Sequence, residues 1–555
     1  MNQAKDLYSM LLHSASKKPE ATAFVTGDKR LSYRGLLRAV DRAADMFWQL
    51  GIRKNDRVAI ALRNSPEFVI SYFALGKLCA VSVPINFMIS KEEEVKYILE
   101  NSNAKGVVTE NDFVKTYANV KTRLPGLKFI ILADSAKETA GRGKGIGKAT
   151  TASYSALNSA CPPPLPAVPD AVEFWPYLTS ARYHPQTKDS RAEGGDVVSI
   201  LYTSGTTGHP KGVLLTHANI LSNARAAIDG FRPTPKDIFM CLLPMFHTFA
   251  WTADVILPLM LGTKTLIIKS ITPPKPWLQA MGREGVTIMI SVPQIYGVLA
   301  REAKGVKKFF LKYWSLRKVR FCLSGAAPLS LVIKNSFEKI FKIPLLEGYG
   351  LTETSPVISV NLPHARKHGS VGKPLPGVKV KITDEAGREL KEGEEGEILV
   401  HGPNITSGYH DNDEATKDLF SADGWLKTGD IGVLDSEGFL FIRDRKKDMV
   451  IIKGLKVFPA QLEQIINHHP KIQESAVIGL PAHDGNETMK CFVVPKQGVM
   501  LDKHEVMAHI KACMDPYKRP KEVEIVESLP KNTLQKVLKR ELIKKELEKR
   551  MRMTV

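Results

Sequence analysis

A loop rich in hydroxyl groups and glycine, residues 202–212, has the composition of a phosphate-binding loop. It reads YTSGTTGHPKG and lies between an apolar, strand-like stretch and a helix-like stretch that begins near Thr216. Small residues let the backbone approach a phosphate closely, while hydroxyl and backbone N–H groups bind its oxygens. It is not a Walker A loop, because GxxxxGK followed by Ser or Thr is absent. The alternative is a flexible turn. The phosphate-binding interpretation assigns Thr203, Ser204, Gly205, Thr206, Thr207, Gly208 and Lys211.

Two further clusters carry groups suited to a nucleotide. Residues 348–354 read GYGLTET, in which Glu353 is a hard oxygen ligand for Mg²⁺ and Tyr349 can stack on a base. Residues 423–430 read DGWLKTGD, in which Asp430 can accept hydrogen bonds from ribose hydroxyls. Taken alone, a Glu among hydroxyls in a loop is usually just solvated, and an Asp at this position more often belongs to a turn or a helix cap.

Two lysine-containing clusters lie toward the carboxyl end. Residues 443–448 read RDRKKD and separate a β-rich region from a small α/β unit, which is a place typical of a hinge. Residues 529–538 read LPKNTLQKVL, and Lys536 lies in a short loop before the terminal helix. A solvated charged face is the alternative for the first cluster, and an ordinary surface lysine for the second.

The elements that must position these residues alternate along the chain. Strand-like and helix-like stretches follow one another over residues 29–131 and again over 197–360, which indicates an α/β fold with largely parallel sheets. Residues 369–443 are β-rich, and a small α/β unit follows from Lys446. Residues 135–195 are rich in Gly, Ser, Ala and Pro, so we expect a mobile surface insertion there.

Composition limits the class of protein. The 555 residues are 43% hydrophobic and 25% charged, which excludes a wholly disordered, collagen-like or coiled-coil chain. The formal net charge of +20 favours polyanionic partners: nucleotides, coenzyme phosphates, acidic lipids or nucleic acid. Six dispersed cysteines without a CxxC pair argue against a zinc ribbon or disulfide framework. Because neither a secretory leader nor an uninterrupted apolar span is present, we expect a cytoplasmic protein.

In their order along the chain, the five clusters resemble the adenylate-forming superfamily of acyl-CoA synthetases, luciferases and peptide-synthetase adenylation domains. The resemblance extends from about residue 20 to 545. It implies that Tyr349 stacks on adenine, that Thr352 lies near the α-phosphate, and that Lys536 serves the first half-reaction. It further implies a metal site at Thr203 and Glu353, and nucleotide or coenzyme contacts at Gly325, Ala326, Ala327, Gly348, Gly350, Asp430, Ile442, Arg445, Lys447, Lys453 and Gly454.

Within these contacts the resemblance gives separate roles. Residues 325–327 border the adenine, whereas Asp430 and Arg445 match the ribose-binding pair. Lys447 matches the hinge between two domains, and residues 453–454 match the wall of the pantetheine tunnel. The implied fold is α/β, with a large amino-terminal domain of several subdomains over residues 1–444, part of it β-barrel-like. A small mobile α+β domain is implied over residues 445–555.

Within the superfamily the sequence looks most like long-chain fatty acid–CoA ligases. The carrying motifs are DGWLKTGDIG, DRKKD and the segment FHTFAW at residues 246–251. This implies an acyl site with Phe246, His247, Trp251 and Val292, of which His247 is also a candidate catalytic residue. His247 can equally be a core histidine. Three positions depart from the family pattern, namely Gln461 for Glu, Gln535 for Gly, and Lys456 for Gln.

The implied function is the activation of a medium- or long-chain fatty acid by ATP and Mg²⁺, followed by transfer to CoA. Alternatives are an acyl-AMP ligase that loads a carrier protein, a CoA ligase for an aromatic acid, and a binding scaffold that depends on the positive charge. We expect no nucleic-acid partner, because no RNA-binding motif is present. A homodimer is a further expectation. Residues 301–320, which carry eight Lys or Arg and one Glu among aromatic residues, favour an acidic membrane surface or an ordinary surface helix equally.

Overall fold

The chain forms two large sheets, a smaller antiparallel sheet and a carboxyl-terminal unit. A computed structural model describes residues 4–89, 91–134, 172–179, 192–203, 210–452, 455–481, 487–532 and 535–554. The predicted α/β class, with a large amino-terminal and a small carboxyl-terminal domain, is confirmed.

One large sheet has seven strands, and its central strands are parallel. The last two strands form an antiparallel pair that flanks the hydroxyl-rich loop. In spatial order the strands are Val172–Glu173, Phe129–Leu132, Ala104–Thr109, Arg57–Ala61, Val81–Pro84, Val197–Thr203 and Lys211–Thr216.

The second large sheet has nine strands with a parallel centre. In a sheet of this kind ligands bind beyond the carboxyl ends of the parallel strands, so this edge is where a site is expected. In spatial order the strands are Lys373–Pro374, Val357–Val360, Leu345–Gly350, Phe321–Ser324, Ile288–Ser291, Ile238–Cys241, Lys264–Ile267, Thr22–Thr26 and Lys29–Ser32.

The helices cover both large sheets, and one hydrophobic core includes residues from both. Local sequence signals explain where several helices begin. Ser65 caps the helix Pro66–Lys77, and Thr216 and Asn219 form a capping box at the start of His217–Phe231. The remaining helices of this part are Leu7–Lys17, Tyr33–Gln49, Glu92–Asn101, Val114–Lys121, Phe174–Thr179, Thr248–Ala250, Leu257–Leu261, Pro274–Glu284, Pro293–Glu302, Gly305–Phe310, Leu331–Phe341 and Asp413–Leu419, with π-helical turns at Trp251–Ile256 and Leu311–Ser315 and a 3₁₀ turn at Thr352–Thr354.

The β-rich region is an antiparallel sheet of four strands, Lys379–Thr383, Gly396–His401, Leu426–Leu434 and Leu440–Arg445. After the 3₁₀ turn Lys446–Asp448, the carboxyl-terminal unit contains a hairpin and a three-stranded sheet with its own hydrophobic core. Its strands are Val450–Ile452, Leu455–Val457, Ile472–Pro481, Glu487–Pro495 and Glu522–Ile525. Its helices are Pro459–Ile466, Lys503–Cys513, Lys539–Thr554 and the 3₁₀ turn Pro516–Lys518.

Part of the stretch predicted as an insertion belongs to the folded body. Residues 172–179 add an edge strand and a short helix to the seven-stranded sheet. The Trp175 indole donates to Glu67 Oε1 at 2.7 Å, and Arg42 donates to the Leu178 carbonyl. These partners are distant in sequence, so composition gave no sign of them. Residues 135–171 and 180–191 lie outside the described residues, and the mobility predicted for them stays a prediction.

Candidate active site

Four consecutive parallel strands of the nine-stranded sheet bring most of the predicted acyl and nucleotide residues to one edge. Phe246 and His247 follow the strand Ile238–Cys241, and Val292 follows the next strand, Ile288–Ser291. Residues 325–327 follow Phe321–Ser324, while Gly348, Tyr349 and Gly350 end the fourth strand. The carboxyl ends of parallel strands meet at one edge, so these segments converge although more than 100 residues separate the first from the last.

Close backbone approach explains two glycines at this edge. A Cβ atom on Gly325 would lie 2.8 Å from the Phe249 ring, and one on Gly350 would lie 1.9 Å from the Pro356 carbonyl oxygen. Both distances are too short for a side chain, so only glycine fits. The contact with Gly325 also fixes the segment that carries Phe246 and His247 against residues 325–327. Phe249 was not among the residues predicted from sequence.

A buried carboxylate joins three of the residues predicted to bind the nucleotide. Asp430 is buried, its Oδ2 accepts a hydrogen bond of 2.5 Å from the Tyr349 hydroxyl, and its Oδ1 lies 2.7 Å from Arg445 Nε. Asp430 and Arg445 face each other across neighbouring strands, and Ile442 lies on the same strand as Arg445. Burial and the charge of Asp430 raise the pKa of Tyr349, so its hydroxyl stays a donor. The three predicted partners therefore form one connected cluster.

Glu353 is held by a residue that sequence reasoning missed. The Tyr409 hydroxyl donates to Glu353 Oε1 at 2.8 Å, while Glu353 Oε2 has no hydrogen-bond partner within the described residues. Burial and the nearby carboxylate raise the pKa of Tyr409. Lys211 Nζ lies 5.1 Å from the centre of the Tyr409 ring. Thr352 begins the 3₁₀ turn that carries Glu353.

The ends of the hydroxyl-rich loop lie beside the Glu353 cluster. Thr203 and Lys211 are paired across the two strands, and Thr203 Oγ1 lies 3.4 Å from the Lys211 carbonyl oxygen. This pairing brings the two ends of the hydroxyl-rich segment together at one end of the sheet. Residues 204–209, which include the predicted Ser204, Gly205, Thr206, Thr207 and Gly208, lie outside the described residues. The predicted Lys453 and Gly454 lie outside them as well.

Lys536 reaches the cluster of Asp430, Arg445 and Tyr349 from the carboxyl-terminal unit. Its amine is half-buried and close enough to Arg445 and Asp430 for their charges to act on it. Burial, and next the positive charge of Arg445, lower the pKa of Lys536 to about 8 against the opposing effect of Asp430. The neighbouring Gln535 carbonyl accepts a hydrogen bond of 3.2 Å from Gln294, at the start of the helix Pro293–Glu302. The two units therefore meet at the site.

The aromatic residues predicted for the acyl site lie next to one another along the chain but in different packing environments. Phe246 packs edge-on against Phe87 with ring centres 5.7 Å apart. Trp251 is buried against Tyr72, with ring centres 4.2 Å apart, and also against Phe68 and Phe73 of the same helix. Burial lowers the pKa of His247 to about 4, so its imidazole is neutral near pH 7.

The predicted hinge residue occupies the connection between the two units. Lys447 lies in the 3₁₀ turn Lys446–Asp448, immediately after the last strand of the four-stranded sheet. Burial lowers the pKa of Lys447. Just before it, Asp444 Oδ2 accepts a hydrogen bond of 2.7 Å from the Ala460 backbone N–H. A change of backbone angles at residues 446–448 would therefore also require this contact to break.

The cluster fits a Mg²⁺–nucleotide complex by the chemistry of its donors. Mg²⁺ in such sites takes one or two carboxylates and the phosphates of the nucleotide, which matches a single oriented Glu353 with one oxygen open. Each oxygen of Asp430 keeps a lone pair for a ribose hydroxyl after its bonds to Tyr349 and Arg445. In the described part of the chain no group of three or more His, Cys, Asp or Glu residues is placed to hold a metal by itself.

Comparison with known families gives two matches that together span most of the chain. Residues 11–410 match the family described as AMP-binding enzyme. Residues 461–536 match the AMP-binding enzyme C-terminal domain, and this second match ends at Lys536.

Individual relatives match over nearly the full length. The chain is 32% identical to a long-chain-fatty-acid–CoA ligase of Bacillus subtilis, with 98% of this chain and 95% of the relative covered. It is 30% identical to a 4-coumarate–CoA ligase of Vanilla planifolia, with 97% and 92% covered. Among solved structures, ATP-bound MatB from Rhodopseudomonas palustris superposes with a TM-score of 0.82 at 29% identity, covering 97% of this chain and 98% of that one.

Proposed function

The chain belongs to the AMP-binding enzyme family, and we propose that it activates a medium- or long-chain fatty acid and transfers the acyl group to CoA. As an AMP-forming acid–thiol ligase, it uses ATP, Mg²⁺ and CoA. The preference for a fatty acid is supported by the long-chain-fatty-acid–CoA ligases among its relatives. The observation that carries the mechanism is the meeting of Lys536 with the Asp430, Arg445 and Tyr349 cluster.

The nucleotide-binding role is divided between two clusters of side chains. Asp430 accepts from the ribose hydroxyls, and Arg445 fixes its orientation through their ion pair of 2.7 Å. The ring of Tyr349 stacks on adenine, beside the backbone of residues 325–327, while its hydroxyl stays on Asp430. Gly348 and Gly350 flank Tyr349 on its strand, and Ile442 contacts the nucleoside from the strand that carries Arg445. The hydroxyl-rich loop, with Thr203 and Lys211 at its ends, binds the phosphates.

The metal would be held by Glu353 and Thr203. Tyr409 keeps Oε1 of Glu353 occupied, so that Oε2 is presented toward the nucleotide phosphates. A Mg²⁺ ion held there would neutralise phosphate charge while the α-phosphorus is attacked. Thr352, at the start of the same turn, contributes its hydroxyl near the α-phosphate.

The first half-reaction joins two anions, and the positive charges of the site make that approach favourable. A carboxylate oxygen of the acid attacks the α-phosphorus of ATP while the bond to the pyrophosphate oxygen breaks, which yields acyl-AMP and pyrophosphate. Lys536 places its ammonium group where these negative charges meet, and catalysis is mainly positioning and electrostatics. His247, which is neutral, borders the reacting carboxyl without adding charge.

In the second half-reaction the CoA thiol attacks the acyl carbonyl carbon and AMP leaves. We propose two domains, residues 1–444 and 445–555, with a hinge at Lys447 between them. Rotation about this hinge withdraws Lys536 and brings residues 453–454 in to line the pantetheine tunnel. The position of Lys447 in the short connection between the two units supports this proposal.

The acyl chain is proposed to lie between Phe246, Trp251 and Val292. Each buried CH₂ group contributes about 0.8 kcal/mol, so an apolar site for the chain would favour long acids over short ones. The 4-coumarate–CoA ligases among the relatives keep an aromatic acid as the second candidate substrate. Transfer to a carrier protein instead of CoA is the second candidate for the acceptor.

Location follows the proposed substrate. Over the part of the chain described here, no helix combines the length and the apolar character that crossing a bilayer requires. Fatty acids partition into membranes, so we propose that the enzyme works in the cytoplasm in peripheral contact with an acidic membrane surface. A homodimer stays a prediction.

The substrate proposal is tested by ATP–pyrophosphate exchange with carboxylic acids of increasing chain length and with 4-coumarate, followed by addition of CoA. We expect exchange to rise with chain length, and CoA to cause release of AMP with formation of the thioester. Faster exchange with 4-coumarate than with any fatty acid would contradict the fatty-acid proposal. Exchange without CoA-dependent release of AMP would favour a carrier protein as acceptor.

A further inference from the structure

One surface of the large domain combines exposed aromatic side chains with a high density of positive charge. We define it as the basic–aromatic segment, residues 301–320. Among the large apolar side chains that the described chain exposes, four are aromatic, and three of these lie here: Phe309 is 66%, Tyr313 56% and Trp314 44% exposed. Val306 is 86% exposed. Such exposure in one segment marks an interaction surface rather than ordinary core packing.

The apolar side chains point outward along one face. Val306, Phe309 and Tyr313 have the spacing of one helical face, and the Phe309 and Tyr313 rings lie 4.7 Å apart. Leu311 and Ser315, by contrast, are buried against the domain. The segment is therefore anchored on one side while its aromatic face is left without protein cover among the described residues.

Positive charge surrounds this aromatic face and is mostly unneutralised. The segment has a formal net charge of +7. Lys307 pairs with Glu302 and Arg320 pairs with Asp237. Within the described residues no salt bridge involves Lys304, Lys308, Lys312, Arg317 or Lys318. Two of these cations lie over aromatic rings of the segment, Lys312 Nζ at 5.3 Å from the Tyr313 ring centre and Arg317 at 5.5 Å from that of Trp314.

We propose that the basic–aromatic segment docks the enzyme on an anionic lipid bilayer. Lysine and arginine attract acidic headgroups, and aromatic and apolar residues on the same face insert at the boundary between headgroups and acyl chains. A second copy of this chain fits poorly, because a twofold interface would place two surfaces of charge +7 against each other. A nucleic-acid backbone would leave Val306 and Phe309 without an apolar partner.

The docking surface is connected to the active site by a single helix. Gln294, in the first turn of Pro293–Glu302, contacts the loop of Lys536 at 3.2 Å. The basic–aromatic segment begins at the other end of that helix, which is ten residues or about 15 Å long. Docking through this segment therefore holds the bilayer near the site that consumes a membrane-partitioned acid. The inference rests on the proposed function for the nature of the acid, whereas docking through the segment depends only on its own charge and aromatic side chains.

The test compares binding to phosphatidylcholine vesicles with and without phosphatidylglycerol, by co-sedimentation at two salt concentrations. The full-length protein is expected to bind the anionic vesicles and to lose this binding as salt rises. The double variant Lys304→Glu/Lys308→Glu should weaken it at least about thirtyfold, because each basic residue near the surface contributes about a factor of five. The variant Val306→Ser/Phe309→Ser should weaken it about tenfold.

Matched controls separate this surface from overall charge and apolarity. Lys503→Glu/Lys511→Glu removes the same charge from exposed positions of another helix, and Met500→Ser removes an apolar side chain that is also exposed. Both controls should bind vesicles as the unmodified protein does. As a second measurement, brominated lipids should quench part of the tryptophan fluorescence of the unmodified protein. This quenchable part should be missing in Trp314→Phe. Pyrophosphate exchange with a soluble short-chain acid should be unchanged in all variants. This result would show that the variants fold. It would also separate a failure of membrane docking from a failure of the proposed function.

Three results would overturn the proposal. The first is the absence of salt-sensitive binding to anionic vesicles. The second is an equal loss in the Lys503→Glu/Lys511→Glu control, which would assign binding to net charge alone. The third is unchanged vesicle binding in Val306→Ser/Phe309→Ser. If that variant instead altered the oligomeric state, a second copy of the chain would be the occupant.

Discussion

Two lysines three residues apart in the carboxyl-terminal unit occupy opposite electrostatic environments. Lys539 lies 2.8 Å from Glu463 with 15% of its side chain exposed, whereas Lys536 forms no salt bridge with any described residue. Burial works to lower the pKa of both. The charges of Glu463 and Asp444 nevertheless raise the pKa of Lys539, while Arg445 helps lower that of Lys536 to about 8. One lysine is neutralised by the protein, and the other keeps its charge available for an anionic ligand.

The pairing of Lys539 shows how the chain around Lys536 is anchored while the Lys536 amine itself forms no ion pair with the described residues. Glu463 lies on the helix Pro459–Ile466 and also accepts from the Val477 backbone N–H at 2.7 Å. Lys539 is the first residue of the terminal helix Lys539–Thr554. Its ion pair with Glu463 therefore connects the start of this helix to Pro459–Ile466 and to the three-stranded sheet. Lys536, just before it, projects into the site from an anchored base. Preorganisation of this kind is what electrostatic catalysis requires.

The largest effect on stability is expected from removing the ion pair between Lys539 and Glu463. Lys539→Met should lower the free energy of unfolding by about 3 kcal/mol, because Glu463 is left as a largely buried charge without its partner. Urea unfolding measures this. The control Lys518→Met removes the exposed pair with Asp515, whose side chain is 62% exposed, and should cost about 1 kcal/mol or less. Equal losses in the two variants would remove the distinction between an anchoring pair and a surface pair.

A variant at the proposed hinge keeps both lysines but restricts the motion of the domain that carries them. Lys447→Pro fixes φ at the proposed hinge. We expect thioester formation from supplied acyl-AMP to fall about tenfold or more, while ATP–pyrophosphate exchange stays near that of the unmodified enzyme. Single-turnover assays of each half-reaction measure these two rates. Unimpaired thioester formation would show that rotation does not occur at residue 447.

Removing Lys536 should not lower stability, in contrast to removing Lys539. Lys536→Met should leave the free energy of unfolding at pH 7 unchanged or raise it by roughly 1 kcal/mol, because a half-buried cation without a carboxylate partner is lost. The unfolded chain holds this proton more tightly, so the unmodified protein gains stability relative to Lys536→Met as pH rises from about 8 toward 10.5. A loss as large as that of Lys539→Met would mean that Lys536 is a structural residue.

The smallest effect is a pH dependence of the first half-reaction. The protonated form of Lys536 is the active one, so kcat/KM for ATP in pyrophosphate exchange should decrease as pH rises through about 8. In Lys536→Arg the guanidinium stays charged, and this decrease should disappear even if the overall rate is lower. A decrease with the same midpoint in Lys536→Arg would assign the titration to another group.

Much of this site was predictable because its chemistry is concentrated in local motifs. Asp430, Arg445 and Tyr349 were each named from sequence, and the structure places them in one hydrogen-bonded cluster. The α/β alternation also gave the fold class, since parallel strands separated by helices leave a clear pattern. Ser65 as the N-cap and Pro66 in the first helical position are local signals of the same kind. The roles assigned to Asp430, Arg445 and Tyr349, like those assigned to residues 204–209 and 453–454, stay predictions.

The residues that were missed act through contacts distant in sequence. Tyr409 meets Glu353 across 56 positions, and Glu463 meets Lys539 across 76, so neither pairing leaves a local signal. Phe249 was within a recognised segment, but its contact with Gly325 depends on how neighbouring strands align. Residues 172–179 were assigned to an insertion because their flanks are rich in Pro, Ser and Ala, although they complete a sheet edge.

The most direct measurement is the partition of the two half-reactions in Lys536→Ala. We expect ATP–pyrophosphate exchange to fall by a factor of about 10² to 10³, the typical effect of losing one preorganised electrostatic contact. Thioester formation from supplied acyl-AMP and CoA should stay close to that of the unmodified enzyme, with Lys531→Ala unaffected in both. An equal fall in both half-reactions of Lys536→Ala would contradict the account.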